Sequence, residues 1–229
     1  AARDRIRALR LAENAAEPVT AVVAGGTYSL TEPVVFEPLD GQVRYVAKPG
    51  ETPVFSGSCA IAGFTARPDG LWQTRVPEVT AGDWFFEQLF VNGRRARRAR
   101  YPDQQEMTTI KAIREEVIVQ GKNERMAQEA RQFVELHEAD FALLSQLTPE
   151  AIGDVQLVAF HKWDNTRRRL ESVDPATRQV VIHGAGMKAW NPLKEGTRFY
   201  LENFPGALNE PGEWRSEEHT SELQSRQVI

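Results

Sequence analysis

The chain has 229 residues, of which 41% are apolar and 26% charged, and its formal net charge is −4. This composition supports a packed core, excludes a globally disordered chain and disfavours nucleic acid or an anionic membrane as partner. Cys59 is the single cysteine, which excludes an internal disulfide and a cysteine-based zinc site. No apolar run approaches the ~20 residues of a membrane span, so neither membrane nor nucleic acid is an expected partner.

The first sixty residues predict a helix followed by short strands. Apolar positions such as Ile6 and Leu9 form one stripe over residues 1–16, and Pro18 would end that helix. Runs rich in β-branched and aromatic residues then predict strands at 20–24, 27–30, 33–36, 43–47, 53–57 and 61–64. Similar runs recur about 22 residues apart, which slightly favours a parallel solenoid. An antiparallel sandwich remains the alternative.

Residues 84–101 predict a hairpin. Asn92-Gly93 is the preferred pair for a type I′ turn, with strands expected at 86–91 and 94–100. The second strand carries the arginine run Arg94, Arg95, Arg97, Arg98 and Arg100. Alternate residues of a strand point to opposite faces. We therefore expect these arginines to pair with carboxylates of the same chain rather than with nucleic acid.

The middle of the chain mixes helix and strand signals. Residues 103–130 are polar and helix-prone, 131–136 alternate like a strand, and 140–146 predict a helix. Thr148-Pro149 predicts a helix N-cap followed by proline at the first helical position. Strands are predicted at 155–160, 179–183 and 197–201, with a turn at 174–177. This change of pattern indicates an inserted module.

The C-terminal segment differs from the rest. Residues 215–225, RSEEHTSELQS, resemble the in-frame translation of a common sequencing adapter, and the chain begins at Ala1 without methionine. We expect natural protein to end near Trp214, the chain to be a fragment of a longer protein, and residues 215–229 to be an artefactual tail.

Several segments together resemble one family. They are GGTYSL, AKPGETPVFSG, QLFVNGRRARRARYP, the W-x-N-x-R stretch at 163–167 and RFYLENFPGALNEPGEW. Over residues 1–214 the chain resembles the N-terminal part of right-handed parallel β-helix (pectin lyase-like) proteins around glycoside hydrolase family 141.

The resemblance implies a mainly β fold. The expected architecture is a right-handed parallel β-helix, of which the chain holds the first coils and an N-terminal helix cap, interrupted by a mixed α/β insertion domain. The implied boundaries are 1–102 for the cap helix and first coils, 103–190 for the insertion domain, 191–214 for the return to the β-helix and 215–229 for the tail.

The resemblance also implies a parent enzyme that hydrolyses glycosidic bonds in polysaccharide, without a cofactor, and is secreted or periplasmic. Family members are α-L-fucosidases and xylanases whose proposed catalytic acids lie in later coils. No position here matches them, so the fragment is expected to be inactive. A non-catalytic carbohydrate-binding or structural β-helix module is the alternative, and a polysaccharide lyase parent is a further one.

Five residues are the candidates for carbohydrate contact: Trp163, Asn165, Trp190, Glu202 and Asn203. Tryptophan rings suit the apolar faces of sugars, with Asp164, Arg167 and Asn191 as polar neighbours. The favoured alternative is that both indoles are buried and anchor the insertion domain. For Glu202 and Asn203, capping of a turn and of a strand ladder is the favoured alternative.

The remaining chemistry-bearing residues give weaker signals. A glycosidase needs two carboxyl groups across a cleft, and surface positions are expected for the candidates Glu87, Asp154, Asp164, Glu171, Glu202 and Glu213. The histidines show no metal-ligand spacing, and His161 is expected to be structural. The glycine pairs lack the spacing of a phosphate-binding loop.

Overall fold

The computed structural model describes residues 2–13, 17–84, 86–103, 106–122, 126–217 and 222–226. The chain divides into two compact units, residues 1–61 and 62–229. Within the described ranges, no helix is both long enough and apolar enough to span a membrane.

The first unit contains a helix and two parallel ladders. Helix α1 covers Ala2–Glu13, and the strands are β1 (Val19–Val23), β2 (Gly26–Ser29), β3 (Val43–Ala47) and β4 (Pro53–Ser56). β1 pairs in parallel with β3, and β2 pairs in parallel with β4, so that one turn of chain stacks on the next. Tyr28 lies opposite Phe55, and their rings stack at 5.2 Å. The antiparallel alternative therefore fails for these strands.

Two of the predicted strands in this part of the chain are absent. Residues 33–36 form no ladder, because the carbonyl of Val35 accepts hydrogen bonds from Arg3 (2.8 Å) and Arg7 (3.3 Å) of α1 instead. Residues 61–64 contain Gly63 at φ 78°, a conformation that interrupts a strand.

The second unit is built on a large antiparallel sheet with the spatial order β10-β17-β14-β15-β16-β13-β12, and β11 also pairs with β17. Its strands are β10 (Arg100–Tyr101), β11 (Thr108–Thr109), β12 (Ala112–Val119), β13 (Glu129–Glu135), β14 (Gln156–Phe160), β15 (Asn165–Asp174), β16 (Gln179–Gly184) and β17 (Arg198–Glu202). One face packs on helices α3 (Glu138–Ala142) and α4 (Pro149–Asp154). This face holds the core, with Leu157, Ile182 and Leu201 fully buried.

Smaller elements complete this unit. A second sheet has the order β5-β6-β19-β18-β9, and β7 pairs with β8 around Asn92-Gly93, both at positive φ as the type I′ turn requires. The elements are β5 (Thr65–Ala66), β6 (Trp72–Arg75), α2 (Pro77–Thr80), β7 (Phe90–Val91), β8 (Arg94–Arg95), β9 (Arg97–Arg98), β18 (Glu213–Glu217) and β19 (Glu222–Ser225). The predicted hairpin is therefore much shorter than expected.

Two further expectations need correction or qualification. The helix-prone stretch 103–130 contains the eight-residue strand β12, because Ile113 and Val117–Val119 favour a ladder and β13 offers a partner. Residues 213–217 and 222–225 form paired strands, with Leu223 buried. The adapter origin of this segment stays a prediction.

Candidate functional site: two tryptophan loops beside a sheet

Two loops of the second unit carry Trp163 and Trp190. We call residues 161–164, between β14 and β15, and residues 185–193, after β16, the tryptophan loops. Asp164 joins them, because its Oδ1 accepts a hydrogen bond from Asn191 Nδ2 (2.6 Å) and its Oδ2 from Lys188 Nζ (3.0 Å). The backbone N–H of Lys162 donates to Asn191 Oδ1 at 3.2 Å. Asn191 is buried, and together with Asp164 it links the two loops. We call this pair of residues the clasp.

Both indole rings face solvent. Trp163 is 66% exposed and Trp190 is 54% exposed. The interpretation that these rings are buried anchors is therefore wrong. The hydrogen bonds between the loops are made by Asp164, Lys188 and Asn191, and more than half of each tryptophan remains exposed.

Asp164 forms an ion pair with Lys188, with 3.0 Å between Oδ2 and Nζ. The hydrogen bond from Lys188 lowers the pKa of Asp164 below its usual range, and Asn191 acts in the same direction. Asp164 is consequently ionised at neutral pH and keeps both loop contacts.

A second tether holds the loop of Trp190 against the sheet. The N–H of Met187 donates to Glu115 Oε2, which also accepts from Gln132 Nε2, both at 2.8 Å. Gln132 Oε1 in turn accepts from Arg168 Nη1 at 2.6 Å. Gln132 is fully buried. Burial also lowers the pKa of Arg168.

Asn165 begins the outer face of strand β15. It is exposed and pairs with Phe160, while Arg167 lies two residues further on the same face. Tyr200 lies on β17, which pairs with β14, and its ring is 5.8 Å from that of Phe160 between centroids, in a tilted arrangement. Asn165 therefore continues the polar and aromatic surface that starts at Trp163.

Glu202 is sealed within the protein. Its side chain is 5% exposed, and Arg167 Nη1 lies 2.9 Å from its Oε1. Burial raises the pKa of Glu202, while Arg167, Arg98 and Arg100 oppose that rise. The same Arg167 nitrogen lies 3.9 Å from Glu87 Oε1, so the separation of the two carboxylate oxygens cannot exceed the sum of these distances.

Asn203 is a structural residue at positive φ (70°). Its Nδ2 donates to the carbonyls of Asp154 and Ser216, both at 2.9 Å, and its Oδ1 accepts from Ser216 N at 2.8 Å. It is fully buried, so no ligand reaches it.

Other sequence candidates also make contacts within the protein. Asp154 and Glu213 are buried, against the expected surface positions, and Glu213 Oε2 accepts from the N–H groups of Asn209 and Glu210. His161 Nε2 lies 2.8 Å from Thr166 Oγ1. Throughout the described residues, no three His, Cys, Asp or Glu side chains converge in a way that could hold a metal ion.

Part of the arginine run is engaged within the chain. Arg97 pairs with Glu210 at 2.7 Å, and Arg98 is buried with its guanidinium over the Trp214 ring. Arg100 donates to the carbonyls of Pro102 and Glu106 and lies over Tyr200. Arg97 follows the expected pairing with a carboxylate, whereas Arg100 uses carbonyl oxygens and an aromatic ring.

Sequence reasoning missed three residues of this region: Lys188, Glu115 and Gln132. The bond between Met187 and Glu115 spans 72 residues, and no local pattern signals it. Asp164 and Asn191 were noticeable only because each lies beside a tryptophan.

Comparison with known proteins adds evidence on the fold. No family model and no curated protein matches the chain. A solved structure titled "Glycoside hydrolase" matches with a TM-score of 0.70 and 24% sequence identity. The match covers 99% of this chain and 39% of that one, so the chain spans well under half of that protein's length. The chain therefore has a mainly β, glycoside hydrolase-like fold.

Proposed function

We propose that the chain is the N-terminal part of a secreted or periplasmic, carbohydrate-active β-helix enzyme that hydrolyses glycosidic bonds in polysaccharide. The parallel stacking of β1 on β3 and of β2 on β4 supports a β-helix whose first coils lie in this chain. The likeness of fold to a glycoside hydrolase supports the same proposal. The family 141 motifs are compatible with it.

Within that enzyme, this part binds polysaccharide through the tryptophan loops. The observation that carries the proposal is the exposure of two indoles on loops that Asp164 and Asn191 hold together. Exposed aromatic rings on fixed loops offer flat apolar surfaces at low entropic cost. Sugar rings present matching C–H faces, and their hydroxyls suit amide and carboxylate neighbours such as Asn165 and Asp164.

The hydrolytic step belongs to residues outside this chain. Glu202 has a raised pKa, as a general acid often does. However, its side chain is 5% exposed and paired with Arg167, so a glycosidic oxygen has no access to it. We expect the 229-residue chain to bind glycan without cleaving it.

The test is binding of soluble xylan by calorimetry to the chain and to Trp163→Ala and Trp190→Ala. Each substitution should weaken binding about tenfold, the equivalent of ~1.4 kcal/mol. Phe90→Ala is the matched control, because Phe90 is 56% exposed but lies on β7, outside the tryptophan loops. Equal affinities of all four proteins, or no affinity for any polysaccharide in a broader panel, would overturn the proposal.

The second candidate is a non-catalytic carbohydrate-binding or structural β-helix module. The sealed position of Glu202 favours it. The two candidates differ in what the full reading frame encodes. Reducing sugar released by the longer protein supports the enzyme, and glycan binding without release supports the module.

A further inference from the structure

A groove of about 350 Å³ lies beside the loop of Trp190. Ile113 and Val117 of strand β12 form one wall, and Met187 and Ala189 of the loop form the other. Ligand pockets in proteins commonly have volumes of about 300–1,000 Å³. The groove is therefore large enough for a short piece of glycan.

The groove lies along the core side of strand β12, which is only partly covered there. Ile113 and Val117 pair with Val134 and Ala130, which are fully buried on the core face of β13. Strand β12 lies at one edge of the described sheet, and β10 lies at the other end of the strand order. Val117 consequently remains 49% exposed although it points to the side of the core.

We propose that this groove is a subsite for a neutral sugar unit of the polysaccharide, an inference that rests on the proposed function. Ala189 and Pro192, which line the groove, flank Trp190 and Asn191 in the chain. A glycan lying on the exposed Trp190 ring can thus place a neighbouring unit in the groove. Apolar groove residues contact the C–H face of that unit.

Glu115 supplies the polar contact. Among the described residues, both hydrogen bonds to this carboxylate, from Gln132 and Met187, reach Oε2. The other oxygen, Oε1, lies beside Gly186 of the loop and receives no hydrogen bond from a described residue, so we assign it to accept from a sugar hydroxyl. Because Gln132 is buried and Met187 belongs to the loop, the carboxylate is already held in place before the ligand arrives.

The Glu115 carboxylate makes the groove better suited to a hydroxyl donor than to a second carboxylate. Glu115 is the only acid among the described residues that line it. Arg114 also lines the groove, but its guanidinium is drawn over the Phe133 ring. Arg168 interacts with Glu115, but its guanidinium is already bonded to Gln132 Oε1 and to the carbonyl of Ala185. A uronate carboxylate placed in the groove would meet the Glu115 carboxylate, whereas a neutral hydroxyl donates to it.

The test fills the groove without touching the tryptophans. Ala189→Phe and Val117→Phe each add a ring at an exposed groove position, on two different elements. Ile118→Phe is the matched control, because Ile118 is exposed on the same strand and does not line the groove. Calorimetry measures binding of xylohexaose and cellohexaose as neutral probes and of hexagalacturonate as the acidic probe. Thermal unfolding confirms that each variant folds.

We expect a neutral hexasaccharide to bind the unaltered chain, and each groove-filling variant to bind it about tenfold more weakly. Ile118→Phe should bind normally. If Trp163→Ala weakens binding while both filled variants bind normally, the subsite is wrong and the proposed function stands. Equal or tighter binding of hexagalacturonate overturns the preference for neutral sugar. Absence of binding to every probe overturns both proposals.

Discussion

At the scale of single residues, Asp164 is the side chain on which the arrangement of the tryptophan loops depends. It accepts from both Lys188 and Asn191, so its removal breaks two contacts between the loops. We expect Asp164→Ala to raise amide hydrogen exchange of residues 187–191 several-fold and to weaken glycan binding. Asp174→Ala, which removes a carboxylate from the separate turn at 174–177, should leave both unchanged. Unaltered exchange in Asp164→Ala would contradict the role of the clasp.

The same carboxylate gives the clasp a pH dependence. The folded pKa of Asp164 lies below its unfolded value, so its contribution is present above the unfolded pKa and is lost as pH falls through the folded pKa. We expect exchange of residues 187–191 to accelerate as pH falls below about 4, after correction for the intrinsic rate. Asp164→Asn should show no such acceleration.

Glu202 should change stability with pH in the direction opposite to Asp164. Its folded pKa is raised, so the folded state binds the proton more tightly than the unfolded chain does. Stability from this group is therefore full below the unfolded pKa of about 4.3 and declines as pH rises through the folded pKa. Urea unfolding between pH 4 and 7 should show a smaller decline for Glu202→Gln than for the unaltered chain. Glu195→Gln, at an exposed position, is the control, and identical slopes for all three would refute the assignment.

At the scale of elements, helix α4 begins as its sequence predicts. Thr148 Oγ1 accepts from Ala151 N at 3.3 Å, and Pro149 occupies the first turn. The helix places Ile152 in the core, so the loss of its N-cap should lower the stability of the second unit. We expect Thr148→Ala to lower the free energy of unfolding by about 1 kcal/mol. Thr148→Ser keeps the oxygen and should be nearly neutral, and equal losses for both substitutions would contradict the capping role.

Elements with strong local signals were predictable, and elements defined by a partner were not. The strands over 155–160 and 179–183 and the turn at Asn92-Gly93 have distinct residue patterns, and all three are present. Strand β12 lacks such a pattern at its start, where charged residues precede Val117, and it exists through its pairing with β13. The stretch 33–36 has strand propensity but no partner. Propensity alone does not satisfy backbone hydrogen bonds.

At the scale of the whole molecule, the first unit buries little apolar surface. Among its described residues, Ile6 is the single buried apolar side chain, while Val35, Phe36 and Phe55 are each more than half exposed. The two parallel ladders of this unit, β1 with β3 and β2 with β4, each have only two strands among the described residues, which leaves strand edges unpaired. We expect hydrogen exchange in residues 17–61 to be faster than in the strands of the second unit.

The exposed surface of the first unit should also make the chain prone to association. We expect residues 1–214 or the full chain to aggregate or to unfold at low temperature, as measured by light scattering and calorimetry. Phe55→Thr should reduce association more than Phe90→Thr, although both rings are 56% exposed, because Phe55 belongs to the open ladders. A sharp, reversible, high-temperature transition from a monomer would contradict this expectation.

The amino-acid sequence by itself determined that the chain is mainly β. It also contained the recurrence of similar strands at 20–24 and 43–47, which favours parallel pairing, and it supplied Trp163, Trp190 and Glu202. These properties follow from residue type and short-range spacing, which act within a few positions of the chain. Only the tertiary structure decided that both indoles face solvent, that Glu202 and Asn203 are sealed, and that Glu115 tethers the loop of Trp190. Such outcomes depend on which distant strands meet and in what register, because burial and hydrogen bonding are set by partners that local sequence does not identify.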